Sequence, residues 1–273
     1  MTQFQVSPNS VFVAGKQLGA GTYGRVFLCA NNDSVVIKVE EDYDYDNVFL
    51  GEARVYDALG DSNFTPKCYG YGSYTDFETK DEMRFIVVEK FETDLYKLVI
   101  EKFYKIDDNI EEMYKLYKVG PCQIATDIID ALAHMHSCGL VHGDLKPENI
   151  LIKENRVALT DFGFTCKING SSSAGTCDYM SCDASEIGKQ TRRSDLESFG
   201  YVLIELFGDV LPWKDDVYAL NILMRKKEFL ESLDVDPRVA EYFTIVKKLA
   251  RDETPDYDKL KSIFGTDNLS ICG

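Results

Sequence analysis

The densest run of chemically capable side chains is His142-Gly-Asp-Leu-Lys-Pro-Glu-Asn149, followed further on by Asp161-Phe-Gly163. A carboxylate such as Asp144 can orient an attacking hydroxyl and take its proton. The ammonium of Lys146, two positions on, can sit beside negative charge that develops on a group in transfer. Asn149 and Asp161 offer hard oxygen ligands of the kind that hold Mg2+ or Mn2+ against phosphates. Any one of these residues alone is more often structural, but the spaced set is what moving a phosphoryl group to a hydroxyl requires.

A second cluster could hold the phosphates. Gly19, Ala20, Gly21, Thr22, Tyr23 and Gly24 form a GxGxxG pattern. Alone that pattern is weak, because in dinucleotide-binding folds it leads into a helix. Here it leads into a strand-like run, Arg25 to Cys29, which fits a strand–turn–strand flap whose backbone approaches phosphate oxygens. Lys38 follows on the apolar run Val35-Val-Ile-Lys38, where an unpaired ammonium is costly. Glu52 lies on the apolar face of the next helix and needs a cation, so the two charges are assigned to each other and to a nucleotide phosphate. Glu40 and Glu41 are assigned instead to a solvated acidic stretch, Glu40 to Asp46.

The elements that must position these groups divide the chain. Short β-branched and aromatic runs at Val11–Ala14, Gly24–Cys29, Ser34–Val39 and Arg84–Glu89 read as strands. Phe49, Glu52, Tyr56 and Leu59 recur at helical spacing, and Gly60 stops that run. Beyond about residue 92 the pattern turns helical. Ala125, Ile128, Ile129, Leu132 and His136 share a face, and Gly139 ends their helix. Residues 195–207 are apolar nearly all round, which predicts a buried central helix. Two short strands are expected near Ile150–Ile152 and Val157–Thr160. The expectation is an α+β protein with a small β-rich lobe, a connector, a larger α-helical lobe and a ligand cleft between the lobes.

Composition narrows the class. The 273 residues are 45% hydrophobic and 28% charged, which suits a globular chain with a sizeable core. A net charge of −16 argues against broad binding to nucleic acid or an acidic membrane. The acidic stretches Glu40–Asp46 and Asp107–Glu112 read as solvated faces. Met1–Ser10 shows no basic segment leading into an apolar run, and the eight cysteines form no CxxC pair, so a cytoplasmic protein with reduced thiols is expected.

These motifs together resemble the protein kinase superfamily. The resemblance covers almost the whole chain and implies a bilobal protein kinase fold, with an N-lobe over 1–88, a hinge over 89–94 and a C-lobe over 95–273. It implies ATP and Mg2+ as cosubstrate and cofactor, and protein substrates with serine or threonine acceptors, bound by a monomer. By the same resemblance Val26 and Val36 roof the adenine, Leu151 floors it, and Val88 is the gatekeeper. Backbone groups of Glu89 and Phe91 bond the adenine edge, and His142 and Phe162 join a packed spine. Gly175-Thr176-Cys-Asp-Tyr179 resembles the end of an activation segment, where Thr176 bonds the catalytic Asp and Lys in serine/threonine kinases. Thr191-Arg-Arg-Ser-Asp195, Leu211-Pro-Trp213 and Thr254-Pro-Asp-Tyr-Asp-Lys-Leu260 look like the casein kinase I and vaccinia-related kinase branch. There Asp195 accepts catalytic-loop N–H groups. The short chain suits a viral member.

Two readings compete. A pseudokinase scaffold would be expected to lack Lys38, Asp144, Asn149 or Asp161, and all four are present. Aminoglycoside- or choline-type kinases also carry His-Gly-Asp, but not the Lys146 pattern or the Gly-Thr-x-x-Tyr segment. Two regulatory expectations follow. Gly143 stands where many kinases have an arginine that holds a phosphorylated loop, so activity is expected without activation-loop phosphorylation; Ser171–Ser173 could still be autophosphorylated. Arg192 and Arg193, with Lys189, could read acidic or phosphorylated substrates; the alternative is that Arg192 only braces the loop against the larger lobe.

Overall fold

The structure, a computed structural model, describes residues 2–21, 24–41, 48–76, 79–100, 117–171 and 175–265. Thr22, Tyr23, most of the first acidic stretch, all of the second, and Ser172 and Ser173 lie outside these residues. The chain forms two compact units, Met1–Phe91 and Glu92–Gly273.

The first unit is a six-stranded antiparallel sheet with one helix. Its strands are β1 (Gln3–Ser7), β2 (Ser10–Gly21), β3 (Gly24–Cys29), β4 (Val35–Glu41), β5 (Cys68–Thr75) and β6 (Glu82–Glu89), in the order β1-β2-β3-β4-β6-β5. Helix α1 (Val48–Leu59) follows β4. The alternation in β4 explains the sheet's two faces. Val35, Ile37 and Val39 point into a core with Phe85 and Val87 of β6, covered by Phe4 of β1. Phe4 packs on Phe85 and Tyr74 with ring centroids 4.9 and 5.0 Å apart. Strand β1 was not anticipated from sequence; its five residues carry only Phe4 and Val6 as apolar contacts. The other face of β4 carries Val36 and Lys38.

The second unit is mainly helical. Its long helices are α2 (Pro121–Ser137), α4 (Arg192–Leu206), α5 (Ala219–Ser232) and α6 (Pro237–Val246), with short helices α3 (Cys182–Ile187) and α7 (Tyr257–Ser262). Helix α4 is the expected central helix, and every residue from Ser194 to Leu206 is buried. A capping box starts it: Thr191 accepts from the Ser194 N–H, and the Ser194 hydroxyl accepts from Thr191. Gly200 lets α6 approach, since a Cβ there would lie 2.5 Å from the Phe243 ring. Among the β elements of this unit, β7 (Thr93–Asp94), β9 (Ile150–Lys153) and β10 (Arg156–Leu159) form one small sheet in the order β10-β9-β7. Strands β8 (Leu140–Val141) and β11 (Cys166–Lys167) pair, as do β12 (Gly170–Ser171) and β13 (Lys189–Gln190). No helix among the described residues is long and apolar enough to cross a membrane.

Candidate active site

In the first unit, register sets which groups share a face. Val26 lies opposite Lys38, Lys38 opposite Ile86, and Val36 opposite Val88. Val26, Val36, Lys38 and Val88 therefore share the face that the apolar core leaves open. Lys38 Nζ lies 2.7 Å from Glu52 Oε2, and Glu52 is buried in α1. Lys38 also lies 3.1 Å from Glu40, which is 6% exposed. That corrects the assignment of Glu40 to a solvated stretch: two residues along a strand return to the same face, so Glu40 stands beside Lys38.

The glycine pattern does enter a strand pair, with Gly19 opposite Val26, Ala20 opposite Arg25 and Gly21 opposite Gly24. The reason for glycine differs by position. A Cβ on Gly19 would meet nothing within 4 Å, whereas one on Gly24, at φ +153°, would strike the Val39 carbonyl. Gly24 is thus demanded by the close pass of β4. The Glu89 N–H donates to the Lys67 carbonyl, so an adenine contact from Glu89 has to use its own carbonyl. Phe91 is the last residue of this unit.

In the second unit, His142–Asn149 runs from β8 through a 3-10 turn at Pro147–Asn149 into β9. Asp144 is 5% exposed and is held from three sides. Its Oδ1 accepts the Thr176 N–H at 2.7 Å, its Oδ2 lies 2.9 Å from Lys146 Nζ, and its carbonyl accepts from Asn149 Nδ2 at 2.9 Å. Lys146 Nζ also donates to Thr176 Oγ1 at 3.0 Å. Leu151 follows in β9 opposite Ala158.

The β9–β10 hairpin brings Asp161 back beside Asn149, for the Thr160 N–H donates to the Asn149 carbonyl at 3.0 Å. Asp161 adopts a left-handed conformation, φ 61° and ψ 69°, which a side chain enters only at a cost. The Asn149 amide spends its nitrogen on Asp144, which turns Oδ1 the other way. An amide oxygen and a carboxylate are the hard donors that a Mg2+-type ion takes, so the residues present fit that cofactor.

Asp195 anchors this loop. It accepts the His142 and Gly143 N–H groups at 2.7 and 3.0 Å and lies 2.9 Å from His136 Nε2. Burial works against its charge, but the contact with His136 and the loop N–H groups outweigh it and hold its carboxyl below the usual range. Gly143 has φ +80°, and a Cβ there would lie 2.7 Å from the Phe164 carbonyl. Glycine is required at 143 by backbone geometry as well as leaving no arginine. His142 packs against the buried Phe162, with ring centroids 5.6 Å apart and planes tilted by 58°.

Arg193 does not present an open anion site. Its guanidinium bonds Asp183 and donates to the Leu249 carbonyl at 2.9 Å, while Arg251 bonds the same carboxylate at 3.2 Å. Arg193 is thus already engaged by partners within the fold. Lys189 donates to Ser171 Oγ at 3.0 Å, and the charge of Arg192 reaches Tyr257. Burial opposes ionisation of Asp183, yet the two arginines hold its carboxyl below the ordinary value. Such a group stabilises the fold above its unfolded pKa, and that stability disappears as pH falls through the folded value. Asp183→Asn is expected to cost about 2 kcal/mol at pH 7, from charged hydrogen bonds lost. The difference from wild type should shrink below about pH 4. Urea unfolding at both pH values measures it.

Sequence reading missed what pins the Thr176–Met180 segment. Lys226 of α5 is 0% exposed, and its Nζ donates to the Cys177 and Met180 carbonyls, both at 2.6 Å. The ammonium lies over the Tyr201 and Trp213 rings at 4.8 and 5.4 Å. Trp213 Nε1 donates to the Asp178 carbonyl at 2.9 Å, and the Tyr179 hydroxyl donates to Glu205. The signal was a lysine sharing a helix face with Ile222 and Phe229. As for thiols, burial pushes Cys166 up to about 11, so it stays protonated, while Cys177 is exposed.

Residues 12–253 match the family model described as protein kinase domain. The chain belongs to the protein kinase family. Its relatives include viral and cellular proteins. "Probable casein kinase I homolog ECU11_1980" of Encephalitozoon cuniculi (strain GB-M1) is 26% identical over 91% of this chain and 82% of its own length. "Probable serine/threonine-protein kinase FPV226" of fowlpox virus (strain NVSL) is 29% identical over 92% of this chain and 94% of its own length. "Pseudokinase OPG198" of vaccinia virus (strain Western Reserve) is 28% identical over 74% of this chain and 87% of its own. The fold matches the solved structure of vaccinia related kinase 3 with a TM-score of 0.74 at 19% identity, over 96% of this chain and 88% of that one. This is a protein kinase fold with a β-sheet N-terminal unit and a helical C-terminal unit.

Proposed function

We propose that this protein kinase is active and transfers the γ-phosphoryl group of ATP to serine or threonine hydroxyls of protein substrates. The observation that carries the reading is the Asp144–Lys146–Thr176 constellation, in which each member bonds the other two. An incoming hydroxyl is oriented by Asp144, whose carboxylate takes its proton as the phosphoryl group arrives. Lys146 supplies positive charge beside that group, and Thr176 holds both side chains in register. Lys38, braced by Glu52 and Glu40, is the cation for the nucleotide phosphates. Asn149 and Asp161 would hold Mg2+, which neutralises phosphate charge when bound. The name of the vaccinia relative favours a second reading, a scaffold without transfer, although Lys38, Asp144, Asn149 and Asp161 are all in place here.

The test is transfer from labelled ATP with Mg2+ to dephosphorylated casein, using phosphatase-treated and untreated protein. Phosphoserine or phosphothreonine is expected at equal rates from both, since Gly143 cannot read a loop phosphate. ATP binding without transfer would support the scaffold reading. A large loss on phosphatase treatment would overturn the independence from loop phosphorylation.

A further inference from the structure

The motif Thr254-Pro-Asp-Tyr-Asp-Lys-Leu260 begins after residue 253, where the family match ends, and nothing in the proposed chemistry uses it. Its sequence builds a short, firmly seated helix. Asp256 caps α7 by accepting the Lys259 N–H at 3.0 Å, and Leu260 is fully buried. Lys261 reaches Asp130 of α2 at 2.7 Å. These contacts fix α7 against α2, the helix that also carries His136.

The consequence is a chain of contacts into the catalytic loop. The Tyr257 hydroxyl lies 2.6 Å from His136 Nδ1, and His136 Nε2 lies 2.9 Å from Asp195 Oδ2. The same carboxylate receives the His142 and Gly143 N–H groups. His136 and Asp195 are 2% and 1% exposed, so neither has water as an alternative partner. An ionised carboxylate only accepts, so the ring nitrogen facing it must carry hydrogen. In the neutral imidazole Nδ1 is then an acceptor, and the group aimed at it is a phenol that burial keeps protonated.

We propose that Tyr257 is a positioning residue for the transfer reaction: its hydroxyl donates to His136 Nδ1, fixes the tautomer with Nε2–H on Asp195, and so holds the His142–Gly143 backbone that presents Asp144. This rests on the activity proposed above, but the contact chain can be tested without it. Tyr257→Phe removes one hydroxyl and leaves the ring. In 15N-histidine NMR, with the His136 signals identified by their loss in His136→Gln, wild type is expected to show an unprotonated, hydrogen-bonded Nδ1. The Tyr257→Phe variant is expected to show protonation or mixing at that nitrogen. Amide exchange at His142 and Gly143 should quicken in parallel.

In transfer assays kcat should fall about three- to tenfold, the worth of one neutral hydrogen bond, with KM for ATP unchanged. Adding Tyr257→Phe to His136→Gln should cost nothing further, because Gln can still donate to Asp195 and no longer depends on the phenol. An unaltered His136 nitrogen spectrum and amide exchange in Tyr257→Phe, or additive losses in the double variant, would overturn the proposal. If wild type transfers no phosphate, the spectrum and exchange still decide the matter.

Discussion

Replacing Asp144 with asparagine is expected to lower kcat by about a hundred- to ten-thousandfold, the range of a positioned general base. Asparagine is nearly isosteric, so its carbonyl oxygen can still accept the Thr176 N–H that Oδ1 now receives at 2.7 Å. It cannot take a proton from a substrate hydroxyl, and it leaves Lys146 without the carboxylate 2.9 Å away. The loss should fall on kcat, with ATP affinity by calorimetry and the thermal midpoint close to wild type. Initial rates on casein separate the outcomes. A variant that keeps more than a tenth of wild-type kcat would show that Asp144 takes no proton, and the constellation would need another base. A variant that fails to bind ATP would show that the carboxylate shapes the nucleotide site and does more than activate the acceptor.

Sequence carried the site as far as its contacts obey a local period or a compact motif. Lys38 and Glu52 were legible because each is a charge on an apolar face, one with period 2 and one with period 3.6. Glu40 obeys the same period 2, but its place at the head of an acidic run disguised it. Gly24 was recognised with the right spacing for a different reason, since the crowding by Val39 comes from a neighbouring strand whose register the motif does not encode. Arg193 illustrates the limit most clearly. Its type suits an anion, and only the fold shows that Asp183, ten residues back, and the Leu249 carbonyl, 56 residues on, already occupy it. The catalytic loop was readable as a string, whereas its anchorage through His136 depends on a tyrosine 121 residues away.

Lys226 is the case where sequence could say least, because its partners are backbone carbonyls, and it carries an expected result of opposite signs for stability and activity. Burial lowers its pKa to about 8, despite acidic neighbours, Glu197 and Asp178 among them, that favour the charge. An unfolded lysine keeps its proton to about pH 10.4. Between those values the unfolded chain binds more protons, so wild-type stability should rise with pH across that window. The buried ammonium is therefore a burden on the fold at neutral pH, and Lys226→Met should be as stable as wild type or more so at pH 7 and lack the rise. Methionine fills a similar volume without a charge to bury. On the proposed function, the Thr176–Met180 segment receives the substrate, and without Lys226 it loses two charged hydrogen bonds. The variant is expected to lose about ten- to a hundredfold in kcat/KM for a peptide substrate, about the worth of one charged hydrogen bond, because the segment keeps its Trp213 and Tyr179 contacts. Wild-type transfer should decline as pH rises through about 8, where the ammonium is lost. Denaturant unfolding and peptide kinetics over pH 7–10 read both signs. A variant that is several kcal/mol less stable, yet as active per folded molecule, would make Lys226 an ordinary structural cation.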